Sequence, residues 1–176
     1  MPLPGGPSDK AGNRYEARWT VVCMARVLRG EYDSIRLEPP GPEGQGIEFW
    51  LRHGDSHEYH QVKRRGARGG HWTLRELNDQ GVLRAFRNHL ADANSTCVFV
   101  SMQTADELGE LAGRARSAAD YAEFEREFTK GEWGPRLSQL LNCWPGSPPT
   151  SCSRFSNAFT CAQSTRRRCG STRSSS

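Results

Sequence analysis

Gly46-Ile47-Glu48-Phe49-Trp50-Leu51 and, after a short polar loop, Tyr59-His60-Gln61-Val62-Lys63-Arg64 decide how this chain is read. Both segments have the pattern of strands. A strand places residues i and i+2 on one face, so Gln61 and Lys63 point the same way. Between Gly46 and Arg52, the residues Ile47, Phe49 and Leu51 share one face and Glu48, Trp50 and Arg52 the other. His53 to His57 is the turn, with Gly54-Asp55 as its signal. Glu48 therefore lies across a hairpin from Gln61-Val62-Lys63. A carboxylate, an amide oxygen and an ammonium on one sheet face can hold a divalent metal and a phosphate together. That is the chemistry of metal-dependent phosphodiester cleavage.

Working outward, Met1 to Lys10 is rich in Pro and Gly and reads as disordered. Asn13 to Arg29 is helical, with Glu16, Thr20, Cys23 and Val27 on one stripe and Gly30 as the stop. Tyr32 to Glu38 reads as a first strand, closed by Pro39-Pro40-Gly41-Pro42. After the strand that carries Lys63 comes a basic glycine-rich loop, Gly66 to Gly70. Thr73 and Glu76 have capping-box spacing and open a helix that runs to about Ala91. Thr96 to Ser101 is a short buried strand. Helical segments follow over Ala105 to Arg116 and Ala119 to Phe128. The order αβββαβαα, with a helix between two strands, predicts an α/β class and a mixed sheet.

The ordered set Gly12-Asn13-Arg14-Tyr15-Glu16, Ile47-Glu48-Phe49-Trp50 and Gln61-Val62-Lys63 resembles the PD-(D/E)xK, or restriction-endonuclease-like, nuclease superfamily. Its signature is an acid on one strand, then Asp, Glu or Gln, one residue, and Lys on the next. The chain is most similar to the N-terminal nuclease domains of bacterial antiphage proteins. These include CD-NTase-associated double-strand DNA endonucleases and the effector domains of STAND NTPases. The resemblance spans roughly residues 10–130. It implies an αβββαβ core with a mixed sheet, followed by C-terminal helices. It also implies Glu48, Gln61, Lys63 and Glu16 as catalytic residues, with Glu48 and Gln61 on Mg²⁺ or Mn²⁺. Double-stranded DNA would be the substrate, and further domains of a larger defence protein the partners. One departure stands out: Gly44-Gln45-Gly46 occupies a place where many relatives carry acids.

Composition sets bounds. A chain of 176 residues fits one domain with modest extras. No run is long and apolar enough to span a bilayer, and no signal-peptide pattern opens the chain. The expectation is a cytoplasmic protein with no membrane partner, its oligomeric state open to a homo-oligomer. The net charge of +4 is uneven. Residues 145–176 hold five arginines and no acid, so the remainder carries 19 basic against 20 acidic residues. Nucleic-acid binding there must come from local clusters. Arg64, Arg65, Arg68 and His71 form such a cluster beside the glycine-rich loop, where backbone phosphates could be gripped by charge-assisted hydrogen bonds.

The domain is expected over residues 11–144, between the disordered 1–10 and a disordered Ser/Arg-rich tail, 145–176. In that tail Ser and Thr make up 13 of 32 residues, and there is no Leu, Ile, Val or Met. Such a segment cannot build a core. The abrupt change of character after Trp144 has two readings, a shifted reading frame or a native basic tail. The six cysteines match no zinc spacing, and the five histidines form no helical metal pair. Cys23 and Cys97 read as buried free thiols.

Each site residue also has an ordinary reading. Lys63 could be a solvated member of the Lys63-Arg64-Arg65 run. Gln61 could be a surface polar residue, Glu48 an acid paired with Arg36 or Arg52, and Glu16 a first-turn glutamate favoured by the helix dipole. Glu38, Asp55 and Glu58 are weaker substitutes. The sequence favours a Mg²⁺-dependent DNA endonuclease. The alternative is a catalytically inactive module of the same fold that binds nucleic acid or mediates assembly.

Overall fold

A computed structural model of the chain describes residues 7–64, 70–143 and 159–163. Helix α1 (Pro7–Leu28) is followed by strands β1 (Ser34–Leu37), β2 (Phe49–His53) and β3 (Ser56–Lys63). Helices α2 (Leu74–Asp79) and α3 (Val82–His89) lead to β4 (Ser95–Ser101). Then come α4 (Asp106–Ser117), a turn of helix α5 (Tyr121–Glu123) that continues as a π-helix over Phe124–Phe128, α6 (Trp133–Cys143) and β5 (Phe159–Gln163). The fold is α/β, with one mixed sheet in the order β1-β2-β3-β4-β5. The pairs β1–β2 and β2–β3 are antiparallel, and β3–β4 and β4–β5 are parallel. The α2–α3 connection is the crossover that a parallel β3–β4 pair requires.

Alternation along β4 divides the core in two. Val98 and Val100 face a cluster with Phe49, Leu51, Val62 and Cys23, against which Tyr15, Trp19 and Val27 of α1 pack. Cys97 and Phe99 face the larger cluster built by α2, α3, α4 and α6, with Trp72, Leu77, Phe86, Leu111 and Leu140 at its centre. Phe49, Leu51, Val98, Phe99 and Val100 are all buried, so the central strands are covered on both faces. This is why β4 reads as a continuous apolar run.

Several boundaries differ from the sequence expectation. Helix α1 begins at Pro7, within the stretch read as disordered; residues 1–6 lie outside the described ones. Proline is well tolerated at a first helical position, where its missing N–H has no partner to lose. The helix expected over 73–91 is two helices. Gly81 adopts φ 74 between them, a conformation that ends one helix and starts the next. The capping box at Thr73 and Glu76 is formed, with Thr73 Oγ1 accepting from the Glu76 N–H and Glu76 accepting from the Thr73 N–H. Part of the segment expected to be disordered, Phe159–Gln163, pairs with β4 as an edge strand. A parallel ladder is made by the backbone, so it needs no aliphatic side chains to form. The rest of that segment, and Trp144 before it, lies outside the described residues.

A candidate site at the strand ends

The register places the site. Leu37 pairs with Phe49, and Phe49 with His60. One step beyond β1, Glu38 N–H donates to the Glu48 carbonyl at 2.9 Å, so the two acids are neighbours across the chain. Glu48 N–H donates to the His60 carbonyl at 2.8 Å, and His60 is already the partner of Phe49, so the β2–β3 ladder is offset by one residue at this end. Glu48 thus lies one residue before β2 rather than within it. Gln61 and Lys63 share a face of β3, and Glu48 reaches them from the residue before β2.

Their side chains meet. Gln61 Nε2 donates to Glu48 Oε1 at 2.9 Å, and Lys63 Nζ lies 3.9 Å from the same oxygen. Gln61 is 4% exposed, which rules out its reading as a surface polar residue. Arg36 pairs with Glu43 rather than with Glu48. Glu16, on α1, is coupled electrically to Glu38 and Lys63. Burial raises the Glu16 pKa, Glu38 raises it further, and Lys63 acts against them. The Glu48 carboxyl is also pushed above the usual carboxylate range. Burial is the largest cause; Lys63 opposes it, Glu16 and Glu38 add to it, and the Gln61 hydrogen bond opposes it.

Glu38 is the residue that sequence reasoning underrated. It has φ 43, the one left-handed residue other than glycine among the described residues. A glutamate there is strained, and Pro39 follows directly. Strain of this kind is held in place by surrounding structure. Here that structure is the Glu38–Glu48 backbone hydrogen bond and the proline-rich turn after it.

The turn also explains the glycine pair. A Cβ on Gly44 would overlap the Pro39 carbonyl oxygen, and one on Gly46 would come within 2.5 Å of Ala85 Cβ. Gly46 also has φ 73. A side chain at Gly46 would press the turn away from α3, and one at Gly44 would break the turn's own contact with Pro39.

The site lies at the carboxyl ends of the parallel pair β3–β4, where open α/β sheets commonly bind ligands. Lys63 is opposite Ser101 in that pair. Of the basic cluster, Arg64 follows β3 directly and is partly exposed. His71 is exposed and bridges to Thr104 just past β4, which brings it to the same end of the sheet. Arg65 and Arg68 lie outside the described residues.

Glu48, Glu16, Glu38 and Gln61 offer a set of oxygen donors. Such donors suit hard cations such as Mg²⁺, which binds through one or two carboxylates and keeps several waters. Among the described residues, no three His, Cys, Asp or Glu side chains stand close enough to form a ready cage. A Mg²⁺ site of the open, partly hydrated kind needs no such cage.

Cys23 and Cys97 are buried free thiols. Burial pushes Cys23 up to about 12, and Cys97 is raised by the same cause. Neither can supply a thiolate near neutral pH. No helix among the described residues is long and apolar enough to cross a membrane. No family model, curated protein or solved structure matches the chain.

Proposed function

We propose that residues 11–144 form a metal-dependent DNA endonuclease domain, the effector module of a prokaryotic antiphage defence protein. One observation supports it above the rest: Gln61 and Lys63 converge on a single oxygen of Glu48, at 2.9 and 3.9 Å. A carboxylate, an amide and an ammonium are residue types that can serve metal-dependent phosphodiester cleavage, and here they meet at the end of the sheet.

Glu48 and Gln61 would hold Mg²⁺ or Mn²⁺ through oxygen. When bound, the ion supplies Lewis acidity and a water of lowered pKa. Lys63 places a compact ammonium beside the Glu48 carboxylate, where it offsets negative charge that grows on a scissile phosphate. Glu16 and Glu38 add negative charge around Glu48 and so favour a divalent cation over water alone. Arg64 and His71, at the same end of the sheet, would grip the backbone of double-stranded DNA without reading its sequence.

Cleavage of supercoiled plasmid in Mg²⁺ tests the reading. Lys63→Ala should lower the rate by about 10²-fold or more, as loss of one electrostatic stabiliser does, while circular dichroism stays unchanged. Wild-type rates from Lys63→Ala would end the proposal at this site. A second reading, a nuclease-fold module without catalysis, draws support from Gly44 and Gly46, which leave no acid just before Glu48. Under that reading the protein binds DNA, and Mg²⁺ changes nothing.

A further inference from the structure

We infer that Gln61 is a positioning residue that fills, with its own amide N–H, the place beside Glu48 where a divalent cation would bind, and that it turns its amide to present oxygen when the cation arrives. The inference rests on the metal-binding reading above and adds to it how the site is kept assembled without metal.

An ionised carboxylate only accepts, whereas a glutamine amide has one end that donates and one that accepts. Beside Glu48 Oε1, Gln61 must therefore present nitrogen, and it does so at 2.9 Å. A cation takes the opposite end of the amide, its oxygen. The same side chain cannot serve both from one orientation. Gln61 is almost fully buried, so it cannot resolve the conflict by swinging into solvent. Its backbone pairs with Phe99 of β4, one step beyond the last β2–β3 pair, Phe49 with His60. Rotation of the terminal amide is the movement left to it, and that torsion is broad and soft.

The local charges give this arrangement its purpose. Glu48 carries the repulsion of Glu16 and Glu38 as well as its burial, and Lys63, 3.9 Å from its Oε1, opposes both. A fourth carboxylate at position 61 would add repulsion whenever metal is absent. A glutamine supplies a hydrogen bond in that state and an oxygen ligand in the other. The chain thereby gives up some cation affinity and keeps the strand ends in place before the cation is bound.

The test follows the Gln61 side-chain amide by ¹H–¹⁵N NMR in the intact chain during a Mg²⁺ titration. Its peaks are identified by their loss in Gln61→Glu. Cation binding is scored separately, as a rise in Tm that Glu48→Gln removes. The expected result is a Glu48-dependent rise in Tm, movement of both Gln61 amide proton signals, and weaker Overhauser contacts from them to the Glu48 side chain. Without metal, Gln61→Glu should lower Tm by a few degrees, and Mg²⁺ should raise its Tm more than it raises that of the wild type. If Tm rises with Mg²⁺ while the Gln61 signals and contacts stay unchanged, the inference is overturned and the metal-binding reading stands. If Mg²⁺ changes neither, both are overturned. Should Gln61→Glu fail to fold, Gln61→Ala identifies the peaks and the wild-type titration decides.

Discussion

Glu48 and Glu58 are nearly equal in exposure, at 26% and 23%, yet their carboxyls shift in opposite directions. Both are pushed up by burial, so partners make the difference. Glu58 is in hydrogen-bond contact with His60 Nε2 at 2.9 Å, accepts from the Tyr32 hydroxyl at 2.9 Å and lies 3.5 Å from the Arg26 guanidinium. These more than offset its burial and hold it below the usual range. His60 in turn accepts from the Trp19 indole N–H at 3.1 Å, which ties α1 to the sheet. Glu48 has one amide and one distant ammonium against two neighbouring carboxylates. One acid is satisfied by the protein itself. The other retains an electrostatic demand that a ligand can meet, and perturbation of that kind marks functional candidates.

The largest expected effect follows from breaking the satisfied side. Glu58→Ala leaves Arg26, Tyr32 and His60 without their common acceptor, and should destabilise the fold by roughly 3 kcal/mol. Glu48→Gln removes repulsion and should leave stability unchanged or raised. Urea unfolding of the two variants measures both. Equal losses would mean that Glu48 is a structural acid like Glu58.

Next in size is the turn that delivers Glu48. Gly46→Ala combines a left-handed backbone with a clash at Ala85 and should cost about 1–3 kcal/mol. It should also weaken any Mg²⁺-induced rise in Tm, because Glu48 shifts with the turn. A loss of stability with an unaltered metal response would show that the glycine matters to packing alone.

The pH response separates the two acids more finely. The Glu58 pKa is lowered on folding, so its stabilisation is present above the unfolded glutamate pKa and lost as pH falls through the folded value. The Glu48 and Glu16 pKa values are raised, so their cost is absent at acid pH, grows as pH rises through the unfolded value and is complete above the folded one. Melting curves at pH 4 and pH 7 should therefore show Glu58→Gln flattening the acid side, while Glu48→Gln stabilises more at pH 7 than at pH 4.

The smallest effect concerns Glu38. Glu38→Gln removes one member of a like-charged cross-strand pair and should stabilise by a few tenths of a kcal/mol in low salt, less in high salt. Glu38→Gly relieves the strained backbone as well, so the difference between the two variants isolates the strain. No salt dependence in the Glu38→Gln effect would show that its carboxylate does not act on Glu48.

Much of the site was legible from spacing alone. Period-two alternation put Gln61 and Lys63 on one face, and the hairpin brought Glu48 beside them. That inference needs only the pleat of a strand, which is local. The nearness of Glu38 to Glu48 was not legible, because it depends on register: only the β1–β2 pairing brings the two together. The meaning of Gly44-Gln45-Gly46 was also hidden. The missing acids looked like a deficit, and the close approach of Ala85 that excludes a side chain at Gly46 is a long-range fact. The break at Gly81 was missed because apolar spacing continues across it from Leu77 to Val82 and Phe86. Strand β5 was missed because its pairing is made by backbone groups, which composition does not report.

What the sequence by itself determined is the α/β class, the two-faced β2, the fully buried β4 and the shared face of Gln61 and Lys63. All follow from the geometry of single elements and from the need to bury apolar side chains. Only the tertiary structure decided which carboxylates are paired and which are left in need. Glu58 and Glu48 look alike as strand acids, and nothing near either in the chain predicts that Tyr32 and Arg26 reach one while the other carries the repulsion of Glu16 and Glu38. Charge interactions depend on distances through space, and those exist only once the strands are in register.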